Sequence, residues 1–152
     1  MATWGEFAAS APEIAREGQR LLRRGVIDEA LLATVRGDEP PRIHPIYLRI
    51  VGGRLYAFIL RSAKRTDLER DGRYALHAHQ NPAAPDEFEV RGRALLVPTG
   101  ETRDAVAGEW WFSVDDAYEL FEFGIESALL GRRPTADDWP PRYWTWRSTP
   151  GA

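Results

Sequence analysis

Residues 87–97 alternate so cleanly that one conformation accounts for them. Phe88, Val90, Gly92 and Ala94 fall on one side of an extended segment, and Glu89, Arg91 and Arg93 fall on the other. A period of two with one apolar face describes a half-exposed antiparallel strand. A strand of that kind needs neighbours, and the chain supplies them at short intervals. Ala30–Val35 is an apolar run closed by the turn signal Gly37-Asp-Glu-Pro-Pro41. Arg42–Val51 and Arg54–Leu60 flank Gly52-Gly53, a two-residue hairpin turn. Tyr74–His79 is a further strand, followed by a loop over 80–86 that carries two prolines. Five or six short strands with helices only at the edges predict a mainly β chain built as a small antiparallel barrel.

The helical segments lie outside this run. Ser10-Ala-Pro-Glu13 reads as a capped helix start, and Ile14, Gly18, Leu21 and Leu22 share a face before Gly25. This predicts an N-terminal helix over 10–25. From Thr102 the pattern turns helical again. Ser113 reads as the cap of a helix with Tyr118, Phe121, Ile125, Ala128 and Leu129 as its buried stripe, ending at Gly131. A last strand, Arg142–Arg147, follows the Pro140-Pro141 turn. With no repeat or linker, residues 1–152 read as one domain: helix 10–25, barrel core about 28–98, and C-terminal helices and last strand 102–148.

Composition narrows the chemistry. The chain has no cysteine, which excludes disulfides and thiolate catalysis, and a net charge of −3 with no basic stripe, which argues against nucleic acid. No apolar run approaches membrane-spanning length and no signal pattern opens the chain, so a cytoplasmic protein is expected, with neither membrane nor nucleic-acid partners. His77 and His79 point to one face of their strand, but no third ligand accompanies them and no metal is expected. Glu109-Trp-Trp-Phe112 reads as core or dimer interface, with a substrate-pocket wall as the alternative. Asp115-Asp116 reads as an acidic first turn. No serine elbow or phosphate loop of the Walker type is present, and no side chain is identified as a catalytic acid or base.

Lys64 is the only lysine among 20 basic residues. It sits in Ser62-Ala-Lys-Arg-Thr-Asp67, between the apolar run Leu55–Leu60 and a short helical stretch reaching Asp71. By itself it reads as a surface lysine or as an anion grip, with a hydroxyl and a guanidinium beside a compact ammonium.

Three segments together resemble the pyridoxamine 5'-phosphate oxidase-like, FMN-binding split β-barrel family. They are Ala33–Ile46 with its Pro40-Pro41 turn, Leu55–Leu60 followed by Ser62-x-Lys64 and Leu68–Asp71, and the Val90–Ala94 strand. The matching order and spacing span roughly residues 28–98. The resemblance implies a six-stranded antiparallel split barrel with flanking helices, assembled as a homodimer with FMN in a groove between the subunits. It implies that His44, Pro45, Ile46 and Tyr47 lie beside the isoalloxazine ring and that Phe58 and Ile59 continue that wall. Ser62, Lys64 and Arg65 would hold the phosphate. The implied activity is a flavin-dependent oxidoreductase acting on a small molecule. The alternatives are a deazaflavin-dependent reductase, its tail lined by Arg61, Arg65 and Arg73, or a non-catalytic flavin- or haem-binding protein. Two positions depart from the oxidases proper. Ala63 replaces an arginine, and Glu87 stands nearest a glutamine that hydrogen-bonds the flavin. Their C-terminal substrate-binding pattern has only Arg142–Arg147 as a counterpart. Pyridoxamine phosphate oxidation itself is therefore not expected.

Overall fold

The computed structural model describes residues 1–151, among which eight strands and four helices are formed. In chain order they are α1 (Trp4–Ser10), α2 (Pro12–Leu22), β1 (Arg23–Arg24), β2 (Ile27–Arg36), β3 (Glu39–Val51), β4 (Arg54–Ile59), α3 (Ala63–Arg70), β5 (Arg73–His77), β6 (Glu87–Val97), α4 (Glu101–Gly108), β7 (Glu119–Arg132) and β8 (Arg142–Arg147). Antiparallel pairing runs β2-β3-β4-β7-β6-β5, and β5 returns to β2, closing a six-stranded barrel. β1 extends one edge through β2, and β8 pairs with β7. Among the described residues no helix is long and apolar enough to cross a membrane.

The expected alternation of 87–97 holds: Phe88, Val90, Gly92 and Ala94 point into the barrel. Gly52 and Gly53 take φ of +55° and +73°, the turn whose twist matches its flanking strands. β4 is buried on both faces and therefore reads as an unbroken apolar run. Leu55, Ala57 and Ile59 enter the barrel core, while Tyr56 and Phe58 face a second cluster with Val106, Trp110 and Leu120 beneath α4.

The segment 113–131 is not a helix. Residues 109–118 are irregular and Glu119–Arg132 is the sixth barrel strand, so the barrel is not confined to residues 28–98. A β-bulge explains the misreading. Arg91 opposes Ser127 and Gly92 opposes Ile125, which leaves Glu126 as an extra residue on β7. Inward side chains fall at Phe121, Phe123 and Ile125, then resume at Ala128 and Leu130. The three-residue step makes 121, 125 and 128 mimic a helical stripe.

The N-terminus also differs from expectation. Two helices replace one, and the first was missed although Thr3 and Glu6 form its reciprocal capping box. Ser10 ends α1 and accepts a hydrogen bond from the Trp146 indole at 2.9 Å, while Ala11 takes the N-cap position of α2. That helix stops at Leu22, and Gly25 instead turns the chain into β2 at φ +68°. Ile14, Gly18 and Leu22 pack against the barrel as the spacing predicts. Gly18 lies so close to Phe88 that an added Cβ would meet the ring at 2.3 Å. Gly18→Ala gains about 0.5–1 kcal/mol of helix propensity but overpacks the core by about 1–3 kcal/mol. A net loss, read as a lower urea midpoint, is the expected outcome, and a gain would contradict this packing.

Candidate functional site

β3 and β4 leave their hairpin as partners and then part. They pair only over Arg49–Val51 and Arg54–Tyr56. Beyond that β3 continues on β2 down to Arg42, whereas β4 continues on β7 through Ile59. The barrel wall is split between them. A two-residue turn makes Val51 and Arg54 a pair that exchanges both backbone bonds, and such pairs alternate along an antiparallel ladder. The same alternation aims the backbone groups of Tyr47, the Pro45 carbonyl and the backbone groups of Phe58 at the split, where the opposite strand is missing.

A cavity of about 430 Å³ occupies this opening. Pro45, Ile46 and Tyr47 from β3 and Phe58, Ile59 and Leu60 from the end of β4 form its walls. Trp110, Phe112 and Tyr118 from the irregular segment roof it. Lys64, in the first turn of α3, and Glu29 from β2 are its two ionisable side chains besides the tyrosines. Six of the nine expected site residues thus line one space: Pro45, Ile46, Tyr47, Phe58, Ile59 and Lys64.

The other three lie around it with different work. Ser62 caps α3, accepting from the Arg65 backbone N–H at 3.4 Å and donating to the Leu60 carbonyl at 2.9 Å. Arg65 is engaged on every side. It donates to the carbonyls of Ile59 and Ala117 at 3.4 and 3.0 Å and pairs with Glu69 at 3.2 Å and Glu119 at 3.1 Å. Hydrogen bonding between these two carboxyls holds Glu119 above and Glu69 below the ordinary carboxylate range. His44 faces the barrel side of β3, its Nε2 buried without a partner. Burial, and then the Lys64 ammonium, hold it below the usual histidine range.

Behind α3 the buried Asp67 and Thr34, with the half-buried Arg42, anchor the helix. Asp67 accepts from the Thr34 hydroxyl at 2.7 Å and from Arg42 Nε at 3.0 Å. Arg42, Asp67 and Arg70 also border a separate polar cavity of about 510 Å³.

The roof follows the alternative reading of the Glu109–Phe112 cluster, a pocket wall, and Tyr118 joins it from beyond that cluster. Trp110 is both core and wall: it meets Phe58 edge to face at 5.0 Å. Two arginines fix the segment. Arg103 donates to the carbonyls of Asp115 and Tyr118 at 2.8 and 2.9 Å and lies over the Phe58 ring, and Arg65 holds Ala117. Trp111 donates to the Val26 carbonyl at 3.0 Å. Asp115 receives the Ala117 N–H in a turn rather than a helical first turn. Glu29 was missed because a lone acid on a strand carries no pattern.

The remaining candidates are dispersed. Arg73 is held by Asp71 at 2.6 Å and Arg61 is exposed. Glu87 starts β6, opposite Gly131 and away from the cavity lining. His77 Nδ1 lies 2.7 Å from the Ala78 carbonyl, and His79 lies 4.0 Å from Glu29.

No family model matches the sequence and no curated protein matches it. Solved structures do. An FAD-binding protein from Mesorhizobium loti superposes with a TM-score of 0.57 at 21% identity, over 75% of this chain and 91% of that one. A Clostridium acetobutylicum protein related to general stress protein 26, of the pyridoxinephosphate oxidase family, gives 0.58 at 11% identity over 94% and 95%. A haem-binding protein from Mycobacterium smegmatis gives 0.58 at 15% identity, over 84% of this chain and 57% of that one. The closed six-stranded barrel is the fold that this chain shares with these solved structures.

Proposed function

We propose that this chain binds FMN and works as a flavin-dependent oxidoreductase, as a cytoplasmic homodimer. The observation that carries the reading is the place of Lys64: the only lysine of the chain stands on the cavity that opens where β3 and β4 part. An ammonium suits a phosphate, the apolar walls suit a flat ring, and the unpaired backbone groups suit its polar edge. Lys64, Pro45–Tyr47 and Phe58–Ile59 would hold the cofactor, which when bound supplies the redox chemistry. The chain's own part is to bind, orient and exclude water, with Ser62, Arg65 and the Asp67 triad positioning the elements rather than gripping the phosphate. Leu31, Ile43 and Tyr47 leave the outer face of β2 and β3 apolar beside the cavity, which suits a second subunit there. Haem is the less favoured cofactor: the lining holds no histidine, cysteine or methionine, and tyrosine is the one haem-ligand type it offers. A deazaflavin is the second reading, but Arg65 and Arg73, two of the arginines expected along its tail, are engaged elsewhere.

The test combines an FMN titration with an NMR pH titration of His44. Burial lowers the His44 pKa and the Lys64 ammonium lowers it further, so a phosphate dianion placed against that ammonium should move it back upward. Saturable binding with an upward His44 shift is expected. Absence of binding would end the flavin reading, and binding without the shift would move the phosphate away from Lys64.

A further inference from the structure

The roofed cavity also defines what reacts there, given the flavin reading above. Its buried floor differs from its rim. Ile46, Phe58, Ile59 and Trp110 are each under 10% exposed, whereas Tyr47, Leu60 and Phe112 are 48%, 46% and 39% exposed. Phe112 and Tyr118 stand 5.8 Å apart with rings tilted by 48°, an aromatic wall open on one side. A molecule approaching a ring held on the floor therefore meets aromatic faces and edges.

Charge selects further. Once Lys64 holds a phosphate, the remaining charged side chain of the lining is the Glu29 carboxylate. The arginines around the roof are committed. Arg65 faces Glu69 and Glu119, Arg103 is spent on two carbonyls and the Phe58 ring, and Arg49 lies over Trp111 at 5.0 Å. The lining offers an incoming anion no guanidinium and one like charge, which is repulsive in a partly desolvated site. We propose that the substrate of this site is a neutral or cationic planar ring system, stacked on the wall of Phe112 and Tyr118, and that Glu29 excludes anionic analogues. The same charge pattern leaves nothing to hold the phosphate of a pyridoxamine phosphate.

The test uses FMN-saturated protein in the oxidised state, with perturbation of flavin absorbance as the binding signal. Menadione and a naphthoquinone sulfonate are matched planar probes that differ in charge. Menadione should bind at least about tenfold more tightly, the ratio set by about 1.4 kcal/mol. Glu29→Gln should shrink that ratio, and Phe112→Ala should weaken menadione severalfold. Equal binding of the two probes, tighter binding of the sulfonate, or a ratio untouched by Glu29→Gln would overturn the proposal while leaving FMN binding standing. Failure of FMN to bind, seen before any probe is added, would remove the reading on which it rests.

Discussion

Lys64→Ala should weaken FMN binding by about 1.5–3 kcal/mol, roughly ten- to a hundredfold, while riboflavin binding changes little. The two ligands share the ring and differ in the phosphate, so their difference isolates the contribution of the ammonium. No other side chain of the lining can take its place. Arg65, one residue on, already divides its donors among two carboxylates and two carbonyls. Freeing it would break the links from α3 to β4, β7 and the roof. Lys64→Arg should recover part of the loss, since the charge remains but a planar fork replaces a compact donor. Raised salt should reduce the wild-type difference between FMN and riboflavin, because Lys64 is only partly buried. Equal losses for both ligands in calorimetric titrations would mean that Lys64 supports the wall and does not hold phosphate.

The site was legible in sequence to the extent that it lies on neighbouring segments. Pro45–Tyr47, Phe58–Ile59 and Lys64 sit on a hairpin and the helix that follows it, and local turn chemistry at Gly52-Gly53 sets that arrangement. Whether a donor is free to face a ligand is not local. Sequence offers Arg65 as a second phosphate ligand, and the structure ties it to Glu119 and the Ala117 carbonyl, over fifty residues away in sequence. His44 alternates with Pro45 and so faces the barrel side of β3, two residues beyond Ile46, the last residue on that side to reach the cavity. The roof was only half legible, as one of two readings of Glu109–Phe112, for a related reason. Its aromatics were visible, but their segment has no periodicity, and arginine bonds to backbone carbonyls place it.

Gly92→Ala should cost about 2–6 kcal/mol in all, or abolish folding, because it strikes the bulge between β6 and β7. A Cβ at Gly92 would lie 2.0 Å from the Gly124 carbonyl oxygen and 3.1 Å from the Glu126 nitrogen. Both are backbone atoms of the opposing strand, so rotamer change offers no relief. The Gly124 carbonyl also accepts the hydroxyl of Tyr74 at 2.9 Å. Displacing it would leave a buried phenol without its partner, a further loss of about 1–3 kcal/mol. Against a total stability of about 5–15 kcal/mol that is a large fraction. Gly108→Ala is the matched control, since nothing lies within 4 Å of its Cβ and its φ is not positive. It should be neutral or slightly stabilising in the same urea titration. A Gly92→Ala midpoint within about 1 kcal/mol of wild type would place the bulge elsewhere. The register that makes β7 imitate a helix would then need another cause. The two questions are one, because the residue that β7 carries in excess, Glu126, is accommodated where Gly92 and Gly124 let the strands come this close.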